Sequence, residues 1–164
     1  MQALFIGGIK SGKSFLAEQY ALKYAKEKPI YLATTELLDS EMQERIAVHK
    51  KQRAENFTTL EEPLHLEEAL SQCKDIVLVE CVSMWLNNML YHGFEYEDIE
   101  KEMQAILQKK QDRVFVLNHV GSGIIPDNAL ARKFADISGK VAQLIASECD
   151  EVFHVIAGIG TKIQ

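Results

Sequence analysis

The fold this sequence predicts is α/β, with a mostly parallel sheet flanked by layers of helices, and three observations predict it. Apolar runs of strand length alternate with segments of helical periodicity along the whole chain. Five such runs are joined by connections long enough to hold a helix, which is what parallel pairing requires. The third observation is Gly7-Gly8-Ile9-Lys10-Ser11-Gly12-Lys13-Ser14, which fits the pattern Gly, four residues, Gly-Lys-Ser/Thr and sits between an apolar run and an amphipathic segment. Together they specify a P-loop NTPase-type three-layer fold, and a length of 164 residues makes residues 1–164 one nucleotide-binding catalytic domain.

Ala3 to Ile6 reads as a short buried strand, and Phe15, Leu16, Gln19, Tyr20 and Lys23 follow it at helical spacing. After a polar break at Lys26 to Lys28, Pro29 to Ala33 reads as a second strand, ending in Thr34 and Thr35. Hydroxyls at a strand's carboxyl end stand where an open α/β sheet contacts its ligand. Ser40-Glu41-Met42-Gln43 has the form of a capping box that opens a helix to about Arg53. Leu64 to Gln72 gives a short helix, and Asp75 to Cys81 a buried strand with Glu80 near its carboxyl end. Ser83 to Tyr91 and Tyr96 to Lys110 are helical by periodicity, with a turn at Gly93 between them. Arg113 to Asn118 is the next strand, followed by a loop with Gly121, Gly123 and Pro126. Leu130, Phe134, Ile137, Val141 and Leu144 mark a long helix, and Glu151 to Ala157 a final strand.

The strand-to-helix turn at residues 7–14 is chemically specific. Glycines let a ring of backbone N–H groups close around an anion, and the start of the next helix adds its positive dipole end. Lys13 reaches the β- and γ-phosphates in such a loop, and Ser14 places a hydroxyl on Mg²⁺. Glu80, an acid at a strand end, belongs with that metal or its water shell. On the helix after Ser40, Arg45, His49 and Arg53 recur every four residues, so they share one face with about 40° of drift per step. Two guanidinium groups around an imidazole suit phosphate oxygens held near a nitrogen nucleophile. Spacing alone, however, favours a solvated charged face.

Composition narrows the partners. A net charge of -6, from 18 basic and 24 acidic residues, excludes general attraction to nucleic acid or anionic membrane, so any anion site is local. Cys73, Cys81 and Cys149 form no Cys-x-x-Cys pair and suit a reducing cytosol. No apolar run reaches membrane-spanning length and no signal-peptide pattern opens the chain, so a cytoplasmic location is expected. The Asn/Thr-Lys-x-Asp element by which regulatory GTPases read guanine does not occur, and Asp136 to Gly139, which fits Asp-x-x-Gly, lies inside a helical stretch.

A set of motifs then resembles one family across essentially the whole chain. It comprises Gly7 to Ser14, Tyr31 to Thr34, Asp39 to Ile46 with His49 and Arg53, Glu80-Cys81 with Trp85 and Asn88, Gly121 to Pro126, Ala131-Arg132 with Phe134 and Asp136, and Gly158 to Lys162. The family is the bifunctional adenosylcobinamide kinase / adenosylcobinamide-phosphate guanylyltransferase. The resemblance implies phosphorylation of the aminopropanol hydroxyl of adenosylcobinamide, then transfer of GMP from GTP through a GMP-histidine intermediate, giving adenosylcobinamide-GDP. It implies His49 as that histidine, with Lys13 beside it in catalysis. Gly7, Gly8, Ile9, Lys10, Ser11, Gly12, Lys13, Ser14, Ala33, Thr34, Thr35, Lys50, Lys51, Gln52, Arg53, Glu61 and Glu80 fall at nucleotide-binding positions, and Ser14 and Glu80 at the metal. Mg²⁺, ATP and GTP are the expected small molecules, adenosylcobinamide and its phosphate the acceptors, and a homotrimer the expected assembly.

Two positions depart from the family's pattern. His119 stands in Asn118-His119-Val120-Gly121 where the family commonly has Glu, and Ala142 stands where it commonly has Asn. His65, His92 and His154 have no constellation around them in the sequence. A P-loop kinase of another small alcohol or nucleotide, without guanylyl transfer, and a nucleotide-binding regulatory module are the competing readings.

Overall fold

The computed structural model describes residues 1–36 and 55–164. The helix expected from Ser40 to Arg53 lies outside the described residues. The described strands are β1 (Gln2–Gly7), β2 (Ile30–Ala33), β3 (Thr58–Glu61), β4 (Val77–Glu80), β5 (Arg113–Asn118), β6 (Glu151–Ile156) and β7 (Ile159–Lys162). They form one sheet in the order β3-β2-β4-β5-β1-β6-β7, parallel throughout except for the antiparallel β6–β7 hairpin. The helices are α1 (Lys13–Tyr24), α2 (Leu66–Ser71), α3 (Val82–Tyr91), α4 (Tyr96–Gln108) and α5 (Ala129–Glu148).

The central strands are apolar on both sides because both sides are covered. Leu4, Val77, Val79, Phe115 and Leu117 point into a core with Trp85 and Leu86 of α3, Ile99, Met103 and Ile106 of α4, and Ile137, Val141 and Ile145 of α5. Their neighbours in sequence, Ala3, Phe5, Leu78, Val114 and Val116, point the other way, against Ala17 and Ala21 of α1. Period-two alternation between two apolar faces leaves no polar stripe, as expected of a buried parallel sheet. Helix starts follow local chemistry. The Asn128 side chain accepts from Ala131 N–H to open α5, and Glu95 with Asp98 forms a capping box at α4.

Two strands were not expected. β3 is short and only partly buried, and β7 is exposed along its length, so neither carries the apolar signal of a core strand. The strand expected from Glu151 to Ala157 is β6, one residue shorter, but it is not the last, because the chain turns at Ala157. Ala157 and Gly158 take φ of 51° and 81°, and the chain returns as β7.

Candidate active site

The site forms where the carboxyl ends of β1, β2, β4 and β5 meet, and two glycines of residues 7–14, Gly7 and Gly12, are required by close contacts. A Cβ on Gly7 would lie 2.6 Å from Ser11 Oγ and also against the Val155 carbonyl. Gly12 has φ of 93°, and a Cβ there would lie 3.0 Å from Gly158 Cα. The loop is closed by Ser11 N–H on Gly8 O at 3.2 Å and braced from outside by Gly158 N–H on Ser11 O at 2.7 Å. The β6–β7 turn therefore props the loop. Lys10 also takes the left-handed conformation, with φ of 59°.

Lys13 opens α1 and is buried, its Nζ donating to Gly8 O at 3.2 Å, so its ammonium is folded back over the loop. Ser11 is also buried, and its Oγ has no hydrogen-bond partner among the described residues. That hydroxyl packs against Gly7 at the base of the loop. Ser14 Oγ donates to Glu80 Oε1 at 2.8 Å, although β5 lies between β1 and β4. One hydroxyl and one carboxylate are hard oxygen donors of the kind Mg²⁺ takes in phosphate-loop sites, so the residues fit that ion. The Glu80–Cys81 peptide is cis.

Thr34 is fully buried, and its hydroxyl brackets Cys81 by donating to Cys81 O at 2.8 Å and accepting from Cys81 N–H at 3.0 Å. The Asn88 amide holds the Thr34 and Pro63 carbonyls at 2.7 and 3.0 Å. Thr34 thus fixes the backbone that carries Glu80. Burial, with the Glu80 charge beside it, pushes the Cys81 thiol up to about 11, which keeps it neutral at physiological pH. Glu61, Ala33 and Glu80 lie side by side in register at the ends of β3, β2 and β4, with Thr35 just beyond. His49, with Arg45, Lys50, Lys51, Gln52 and Arg53, lies outside the described residues.

Two arrangements had no local signal in the sequence. His92 Nε2 lies 3.0 Å from a carboxylate oxygen of Glu36, just past β2. His119, whose N–H donates to Gly7 O at 2.9 Å, sets its ring edge-on to His154 at 5.6 Å between centroids. An imidazole pair therefore stands beside the phosphate loop, joining residues 35 apart in sequence, and only the strand order brings them together.

Comparison with known proteins agrees with this geometry. The family model described as cobinamide kinase / cobinamide phosphate guanyltransferase matches residues 3–163. The bifunctional adenosylcobalamin biosynthesis proteins CobU of Escherichia coli K12 and of Salmonella typhimurium are each 37% identical to this chain, over all of it and all of their own length. The bifunctional protein CobP of Pseudomonas aeruginosa is 34% identical over all of this chain and 98% of its own. Among solved structures, the flagellar accessory protein FlaH of Methanocaldococcus jannaschii has a TM-score of 0.51 at 11% identity, covering 99% of this chain and 77% of that one. A KaiC-like protein of Pyrococcus horikoshii has the same score and identity, covering 93% and 69%. At that identity the two structures bear on the fold alone.

Proposed function

This chain belongs to the cobinamide kinase / cobinamide phosphate guanyltransferase family, and from that membership we propose how its residues divide the two reactions. In the first, the aminopropanol hydroxyl of adenosylcobinamide attacks the γ-phosphorus of ATP or GTP, the bond to the nucleoside diphosphate breaks, and the hydroxyl proton passes to solvent water. In the second, a ring nitrogen of His49 attacks the α-phosphorus of GTP and pyrophosphate departs. A phosphate oxygen of the acceptor then attacks that phosphorus and releases His49, giving adenosylcobinamide-GDP.

The observation that carries the reading is the group of Lys13, Ser14 and Glu80 at the loop of residues 7–14, within a chain matched to the family over residues 3–163. Lys13 places its charge against the phosphates in both reactions, and loop N–H groups hold their oxygens. Ser14 and Glu80 hold Mg²⁺, which supplies charge neutralisation to the bound phosphates. Ala33, Thr35 and Glu61 line the nucleotide's edge of the sheet, with Thr34 beneath them. Lys50, Lys51, Gln52 and Arg53 are assigned to nucleotide binding, and His49 to catalysis, on the family resemblance alone.

The protein works in the cytoplasm as one catalytic domain, without nucleic acid. Among the described residues no helix is long and apolar enough to cross a membrane. A homotrimer, the assembly that the family resemblance implies, is part of this proposal. Incubation with Mg²⁺ and GTP without corrinoid tests the reading by intact mass. Wild type gains an acid-labile GMP adduct and His49→Ala gains none. A folded, GTP-binding wild type without adduct returns the chain to a simple kinase.

A further inference from the structure

Beyond the phosphate loop, the carboxyl edge of the sheet opens into a groove of about 600 Å³ between the end of α3, the start of α5 and the segment that follows β5. That size is in the range of small-molecule sites. Its walls include Leu90, Tyr91, Leu130 and Phe134, and its polar groups are the amides of Asn87 and Asn128. No residue lining it carries a formal charge, in a chain where 26% of residues do. The cavity on the other side of the same segment differs, being lined by Arg132, Asp136 and Lys140. One face of the segment is thus charged and the other is neutral.

The neutral groove is built and partly unsatisfied. Tyr91 is 73% exposed and Leu130 67%, although both are large and apolar. Asn128 spends its oxygen on Ala131 N–H at 3.1 Å, which leaves its NH₂ for another partner. The Asn87 amide has no hydrogen-bond partner among the described residues. Arg132 braces the wall from behind by donating to the Pro126 and Asp127 carbonyls at 2.9 and 2.6 Å. Val120, in the lining, follows His119, whose N–H is on Gly7 O. The groove therefore begins beside the phosphate loop.

The phosphates of a nucleotide gain nothing from such a lining. A corrin ring does, because its rim carries neutral carboxamides and its faces carry methyl groups. We propose that the groove between α3 and α5 of a single chain binds the corrin ring of the acceptor. Asn87 and Asn128 pair with its carboxamides, Tyr91 and Phe134 lie against its ring system, and the aminopropanol arm extends past Val120 to the nucleotide. The assignment rests on the function proposed above.

Equilibrium dialysis against adenosylcobinamide, read by corrin absorbance, tests it separately from turnover. Light scattering gives the mass of each variant. Tyr91→Ser and Leu130→Asp change exposed side chains, so folding is not at stake, and Asn87→Asp sets a charge in the groove. Each is expected to weaken corrinoid binding by about tenfold or more at unchanged mass, the loss expected at an anchoring contact. Wild-type affinity in Tyr91→Ser and Leu130→Asp overturns the proposal. A change of mass in these variants with corrinoid affinity kept also overturns it, and gives the face to a second copy of the chain. Wild type that binds corrinoid without phosphorylating it would instead remove the proposed function and leave the groove to be judged by the variants.

Discussion

Gly12 and Gly158 touch backbone to backbone: a single methyl on Gly12 would sit 3.0 Å from Gly158 Cα, and the peptide of Gly158 is already bonded to Ser11 O. Gly12→Ala therefore meets both a steric limit and a left-handed φ that costs a non-glycine residue about 1–2 kcal/mol. The variant is expected to bind GTP at least about tenfold more weakly. Calorimetric titration with GTP measures this, and unchanged affinity would show that the hairpin does not shape the loop.

Lys13→Ala is expected to abolish both phosphorylation of adenosylcobinamide and GMP adduct formation, because one ammonium serves both sets of phosphates. His49→Ala should retain phosphorylation and lose guanylyl transfer. Product analysis by chromatography separates the two. Equal loss of phosphorylation in both variants would contradict separate roles.

Thr34→Val keeps the shape of a fully buried side chain and removes its two hydrogen bonds to Cys81. The Cys81 carbonyl still accepts from the Met84 and Trp85 N–H groups, but the buried Cys81 N–H is left unpaired, which is expected to cost about 1–3 kcal/mol. Urea unfolding measures that loss, and a midpoint equal to that of wild type would show that the bracket around Cys81 is dispensable.

Asp75 gives a pH-dependent term. Partial burial pushes its carboxyl up, but the N–H groups of Glu27, Ile76 and Lys26 outweigh that and hold it below the usual carboxylate range. A depressed carboxylate stabilises the fold above its unfolded value of about 3.9, and the stabilisation is lost as pH falls through the lower folded value. Asp75→Asn should therefore be less stable than wild type at pH 7, with the gap closing below about pH 4. A gap that does not narrow as pH falls below about 4 would assign the effect to packing.

The sequence made the loop and the central strands legible because each carries its own cause. Glycines with Lys13 and Ser14 encode a phosphate loop locally, and the apolar run Val114 to Leu117, between Arg113 and Asn118, marks β5. β3 and β7 escaped because an edge strand is defined by the neighbour it pairs with, and Thr58–Glu61 and Ile159–Lys162 have almost no apolar alternation of their own. Arg113 shows the same limit for a side chain. Its guanidinium is fully buried, held by the Ile106 and Lys109 carbonyls at the end of α4 and by Gln111, and burial lowers it to about 10. These acceptors lie within seven residues of Arg113, but two of them are backbone carbonyls, which leave no residue-type signal. The Glu36–His92 and His119–His154 pairs were invisible because only the fold brings their members together. Thr34 was legible as part of the site, while its work on the Cys81 backbone was not.

The brace between Gly158 and Ser11 also bears on the order of events during synthesis. The phosphate loop is made early, but one of its flanking strands is β6, and Gln2 N–H reaches Asp150 across a separation of 148 residues. Contacts so distant in sequence form late, because the chain between them must first be ordered. A ribosome that has released β1 to β5 has delivered the whole motif without its support. Nucleotide capture on a nascent chain should thus lag the motif and begin only after the turn at Ala157 and Gly158 has emerged, so that bound GTP reports a finished sheet.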